Sequence, residues 1–159
     1  MANSEHILVL DDDFDIVSLI KISLQKIQFN VFEFTDPFLA LEHFEINSRD
    51  YGLVLSDMRM PGMPRFEFVR KVREINPKVK ILIMSAFEIS DLEFSRALPS
   101  HTKIDGFVEK PILPKELIKV IKIHLHKISN RDMMSLKKKR QYKEQPDEFL
   151  TMVCYYKGN

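Results

Sequence analysis

The sequence predicts an α/β doubly wound fold, a parallel sheet with helices on both faces, and three observations predict it. Four short apolar runs, Ile7-Leu8-Val9-Leu10, Leu53-Val54-Leu55, Ile81-Leu82-Ile83-Met84 and Phe107-Val108, are too short for helices. They are apolar on both faces, as strands buried inside a parallel sheet are. Segments of helical period lie between them, so strand and helix alternate five times with short connections. The length of 159 residues suits one domain plus a tail. A chain of this size buries about two-thirds of its unfolded surface and folds without disulfide or metal.

Each element has its own signature. After the first strand, Ile16, Ile20, Leu24 and Ile27 follow helical spacing. Val31-Phe32-Glu33-Phe34 alternates more than the other strands and fits an edge position. The second helix opens at Asp36-Pro37, an N-cap acceptor before a proline at the first helical position. Phe66, Val69 and Val72 mark a third helix that ends near Asn76-Pro77, and Glu88 to Leu98 is the weakest helical segment. The last helix opens at Pro114 and places Leu117, Ile121, Leu125 and Ile128 on one face.

Composition narrows the class. Apolar residues make up 45% and charged residues 30%, ordinary for a soluble globular chain. The net charge of +1 excludes a strongly basic nucleic-acid binder, and no stretch reaches the length of a membrane span. Cys154 is the only cysteine and suits a reducing compartment, so a cytoplasmic location is expected. Charge is uneven: residues 129–159 carry seven Lys/Arg against four Asp/Glu, while the preceding part is slightly acidic. The expected division is therefore a domain over 1–128 and a basic, then apolar, extension over 129–159.

In a doubly wound sheet, ligands sit beyond the carboxyl ends of the strands. The first strand ends in Asp11-Asp12-Asp13, the third in Ser56-Asp57, the fourth in Ser85 and the fifth in Glu109-Lys110. Clustered carboxylates raise one another's pKa unless a cation neutralises them. Oxygen ligands of this kind suit octahedral Mg²⁺. Beside such a cation Asp57 can act as a nucleophile towards phosphorus, giving an aspartyl phosphate. Lys110 and the Ser85 hydroxyl can then hold phosphoryl oxygens.

The stretches ILVLDDDFDI, LVLSDMRMPGM, ILIMSAF and GFVEKPI, in this order and spacing, resemble the receiver domain of two-component response regulators over about residues 5–128. The resemblance implies a flavodoxin-like sheet of order 2-1-3-4-5. It implies Asp57 as phospho-acceptor, with Ser85 and Lys110 as its catalytic partners. Asp11 and Asp12 correspond to the metal-binding acid pair, Asp12 being favoured as the direct ligand, and Asp57 and the main-chain carbonyl of Arg59 complete the Mg²⁺ site. Phe107 matches an aromatic whose side chain turns inward on activation. Lys110-Pro111 matches a bond that is cis in the family. A sensor histidine kinase or phosphotransfer protein is the implied phosphoryl donor, and the output is through contacts with an unidentified downstream protein. In the family the side chains at Arg59 and Phe87 border the path of the attacking water, so bulky Phe87 is expected to slow self-hydrolysis.

Blander roles compete for several residues. Asp13 or Asp15 caps the first helix, and Asp13 takes that role here. Phe107 is equally at home as ordinary core. His124 and His126 show no metal-ligand spacing and read as surface residues. Pro64-Arg65 stands where the family has Asp-Gly, which makes a positive φ harder in that loop. His101-Thr102-Lys103-Ile104-Asp105 replaces a smaller pair before the last strand. A phosphatase with an Asp nucleophile is the rival enzyme, but it needs an acid pair on a strand after the lysine, which nothing after Lys110 is expected to supply, and there is no room for a cap domain. A receiver-like scaffold that is never phosphorylated is the other alternative. In the extension, Lys137-Lys138-Lys139-Arg140 reads as a solvated basic face in preference to a nucleic-acid contact. Phe149-Leu150, Met152-Val153 and Tyr155-Tyr156 would dock on the domain or mediate a homodimer.

Overall fold

The computed structural model describes residues 6–64, 66–86 and 102–125. Five strands and four helices follow in order: β1 (His6–Leu10), α1 (Phe14–Gln25), β2 (Asn30–Phe34), α2 (Pro37–Asn47), β3 (Tyr51–Asp57), α3 (Glu67–Ile75), β4 (Lys80–Ser85), β5 (Gly106–Glu109) and α4 (Pro114–His124). The strands form one sheet of order β2-β1-β3-β4-β5, and every pairing is parallel. This is the doubly wound architecture and strand order expected from the sequence, with β2 at an edge.

Alternation along each strand builds two cores. Ile7 and Val9 of β1, Leu53 and Leu55 of β3, Leu82 and Met84 of β4 and Val108 of β5 face α1 and α4. Leu8 and Leu10, Val54, Ile81 and Ile83, and Phe107 face α2 and α3. Side chains at successive strand positions point to opposite faces, so an apolar run serves both layers. Val17, Ile20 and Leu24 are the buried stripe of α1, and Leu117, Val120, Ile121 and His124 that of α4.

Capping follows the local sequence. Asp36 accepts hydrogen bonds from the Phe38 and Leu39 amides at 2.7 and 3.2 Å, ahead of Pro37. Asp13 caps α1 through the Asp15 and Ile16 amides. The two acids therefore satisfy amides that a helix start leaves unbonded.

Two features depart from the sequence reading, and a third has no counterpart in it. Phe66 is the N-cap of α3, not its first turn, and adopts a left-handed conformation at φ 68°. The loop around Pro64-Arg65 thus reaches positive φ one residue later, on a phenylalanine. That conformation costs about 1–2 kcal/mol, and burial of the ring, about 1.5–3 kcal/mol, holds it there, because Phe66 packs into the α2/α3 core. Second, His124 is buried, not a surface residue. Its Nδ1 lies 2.9 Å from the Val120 carbonyl and its Nε2 3.1 Å from that of Asp105. Third, Asp105 anchors the start of β5. It accepts from Arg73 at 3.1 Å, Lys80 at 3.3 Å and the Ile81 amide at 3.0 Å. Arg73 also bonds the carbonyls of Pro77, Val79 and Lys103.

The segment Glu88 to Leu98 that the sequence reading expects to be helical, Phe87, Arg65, His126, Ile128 and the extension 129–159 lie outside the described residues.

Candidate functional site

The parallel sheet brings its strand ends to one edge. β1 and β3 are neighbours, while β2 and β4 lie to either side, so the strand order reverses between β1 and β3. A crevice opens beyond the strand ends at such a point. Asp11 follows β1 and Asp57 ends β3, so the topology sets two carboxylates on its two walls. Register carries the rest of the edge: Ser85 at the end of β4 pairs with Glu109 of β5. The Ser85 carbonyl accepts the Lys110 amide at 2.8 Å, which continues the β4–β5 ladder to Lys110. The Lys110-Pro111 bond is cis, as the resemblance implied.

Lys110 is the centre of the arrangement. Its ammonium lies 2.6 Å from Asp11 Oδ2 and 2.8 Å from Asp57 Oδ1. Asp11 is fully buried, and Asp57 and Lys110 are largely covered. The remaining oxygens are held by amides: Asp11 Oδ1 accepts from Asp13 at 3.0 Å and Asp57 Oδ2 from Arg59 at 2.9 Å. Burial raises the pKa of Asp11, and the charge of Asp57 adds to that. Lys110 and the Asp13 amide oppose the shift without cancelling it. Burial alone would lower the pKa of Lys110, but its hydrogen bonds to Asp11 and Asp57, and their charges, outweigh burial and raise it. The lysine is therefore held as an ammonium between two acids.

Asp11, Asp57 and Lys110 thus meet, and Ser85 is buried at the adjoining strand end. Asp12 is exposed and has no hydrogen-bond or ion-pair partner among the described residues. Arg59 is exposed two residues beyond Asp57. Among the described residues no three His, Cys, Asp or Glu side chains enclose a cation in this arrangement. The donor set nonetheless fits Mg²⁺. Asp11 Oδ2 is buried and its one close partner is the Lys110 ammonium. Oxygen donors of this kind, a buried carboxylate beside a second one and an exposed third, are those a hard divalent cation takes.

The family model described as the response regulator receiver domain matches residues 7–122. The chain belongs to the response regulator receiver domain family. Receiver domains are signalling modules of two-component systems, generally phosphorylated with Mg²⁺ by histidine kinases or phosphotransfer proteins. This receiver is 32% identical to the cyclic di-GMP phosphodiesterase response regulator RpfG of Xanthomonas campestris, over 70% of this chain and 29% of that protein. It is 28% identical to sporulation initiation phosphotransferase F of Bacillus subtilis, over 80% of this chain and 98% of that one. Among solved structures, the chemotaxis protein CheY4 of Vibrio cholerae superposes with a TM-score of 0.65 at 26% identity, covering 74% of this chain and 96% of that one. The chain spans under half the length of several curated relatives, including RpfG at 29% and the PhoP regulator of Bacillus subtilis at 45%. No helix among the described residues is long and apolar enough to cross a membrane.

The residues missed in the sequence lie at the opposite pole. His124 sits three residues after Ile121 and seven after Leu117, on the buried stripe, and that spacing was the available signal. Arg73 and Asp105 are 32 positions apart, and no local pattern links them.

Proposed function

We propose that this receiver is a cytoplasmic phospho-accepting switch, in which Asp57 takes a phosphoryl group from a sensor histidine kinase or a phosphotransfer protein. The observation that supports this reading best is the Lys110 ammonium within 2.8 Å of the Asp57 carboxylate, with Asp11 on its other side. In the transfer an O–P bond to Asp57 forms as the P–N bond to the donor histidine breaks. Phosphoryl transfer asks mainly for position and charge compensation. Lys110 is already charged and directed at Asp57, so it meets the incoming phosphoryl oxygens with little rearrangement. The Ser85 hydroxyl, at the next strand end, donates to another of those oxygens. Asp11, Asp12, Asp57 and the Arg59 carbonyl would hold Mg²⁺, which when bound neutralises charge on the transferring group.

The chain acts on no outside substrate and catalyses only its own phosphorylation and dephosphorylation. Ser85 and Phe107 carry the change outward as a shift between two conformations, read by a downstream protein. Residues 1–128 suffice for this switch.

Intact-protein mass after incubation with a small-molecule phosphoryl donor and Mg²⁺ tests the reading. We expect one added phosphoryl group, absent in Asp57→Asn and absent without the metal. A folded protein that gains none would favour the unphosphorylated scaffold, and turnover of a generic phosphomonoester would favour the phosphatase.

A further inference from the structure

At the pole opposite Asp57, an open cavity of about 400 Å³ lies where the amino ends of β3 and β4 meet the carboxyl ends of α2, α3 and α4. That volume is in the range of small-ligand pockets. Its lining includes Arg49, Lys78, Lys80 and His124, and no Asp or Glu among the described lining residues. The basic groups come from separate segments: the turn after α2, the turn before β4, β4 itself and the last turn of α4. We infer that this cavity is a binding site for a small phosphate-bearing polyanion, recognised by its phosphates through Arg49, Lys78 and Lys80.

The cations of this cavity differ from the ion-paired ones elsewhere among the described residues. Lys21, Arg70, Arg73 and Lys110 are each paired with acids at 2.5–3.1 Å. The side chains of Arg49 and Lys78 are exposed and have no partner among the described residues. Lys80 is held by Asp105 at a longer 3.3 Å, leaving ammonium protons for a second partner. α2, α3 and α4 all end at this pole, and their dipoles each present about half a negative charge. The three full positive charges of Arg49, Lys78 and Lys80 exceed that, and like charges facing one cavity are relieved by an anion.

The floor has its polar side chains already engaged. The Tyr51 hydroxyl is bonded to His43 Nδ1 at 3.0 Å, and both His124 nitrogens face carbonyls. Asn76 is bonded to the Ser48 carbonyl and to the Lys78 and Val79 amides. Tyr51 is buried and offers no face for a nucleobase. What remains to recognise a ligand is charge, and a guanidinium with two ammonium groups matches phosphate oxygens.

The test is titration of the full-length protein with pyrophosphate, followed by calorimetry and by amide NMR shifts, in wild type, Arg49→Ala/Lys78→Ala and Lys110→Ala. Both replaced side chains in the double variant are exposed, and a thermal melt verifies its fold. We expect saturable binding with Kd below about 1 mM, and shifts at Gly52, Lys78 and Val79. The double variant should bind at least about tenfold more weakly, and Lys110→Ala should bind as wild type does. ATP should displace pyrophosphate and adenosine should not, which distinguishes recognition of phosphates from recognition of a nucleoside. Lack of saturation, shifts confined to Asp57 and Lys110, undiminished binding by the double variant, or binding of adenosine alone would each overturn the inference.

Discussion

Asp11 shows most directly how one residue trades stability for function. Its folded pKa is raised above the ordinary aspartate value of about 3.9. A group raised in this way binds its proton more tightly in the folded state. Its contribution is fully present below the unfolded pKa and lost as pH rises through the folded one. At neutral pH the fold therefore carries the cost of an ionised, buried Asp11. Asp11→Asn preserves the shape and the acceptor for the Asp13 amide, while Lys110 retains Asp57. Urea unfolding at about pH 7 should show a gain of about 1 kcal/mol, shrinking as pH falls towards about 4. A less stable variant at neutral pH would mean that Lys110 compensates fully for burial. At this scale the candidate site was legible, because acids and a lysine at strand ends announce themselves one by one. The burial of His124 was harder to read, since a polar side chain on an apolar stripe is indistinguishable from an exposed one until its acceptors, Val120 and Asp105, are placed.

Element ends supply two further predictions. After α1 the chain turns at Gln28, an exposed residue at φ 67°. Glycine takes that conformation without the Cβ penalty, so Gln28→Gly should raise stability by about 0.5–1 kcal/mol in urea titration. At the start of β5 the opposite holds. A Cβ on Gly106 would lie 3.0 Å from His124 Nε2 and 3.1 Å from Leu82 Cδ2. Gly106→Ala should therefore destabilise by about 1–3 kcal/mol, with amide exchange accelerated first in β5 and α4. Equal protection in both proteins would show that the histidine ring moves aside freely. The strands were legible because their runs serve two cores at once. The helix starts at Asp13 and Asp36 were legible from capping chemistry. The start of α3 was not, because Phe66 looks helical by spacing and is displaced into the left-handed region only by the fit of its ring to the core.

At the scale of the molecule, both hydrophobic layers are already formed by residues 7–125. A chain ending at residue 128 should unfold cooperatively, with a melting temperature close to that of the full protein, and should gain the same mass as the full protein from a phosphoryl donor. Solution mass of the two chains would show whether 129–159 mediates a dimer. Loss of cooperativity on truncation would assign the extension a place in the core. The sheet order also bears on what holds the edge in place. Among the described strands β5 pairs with β4 alone, yet Lys110, just beyond it, reaches the carboxylates that follow β1 and end β3. Charge thus fastens the edge strand to the middle of the sheet across a neighbour, and the group set beside Asp57 is at the same time a clasp for β5.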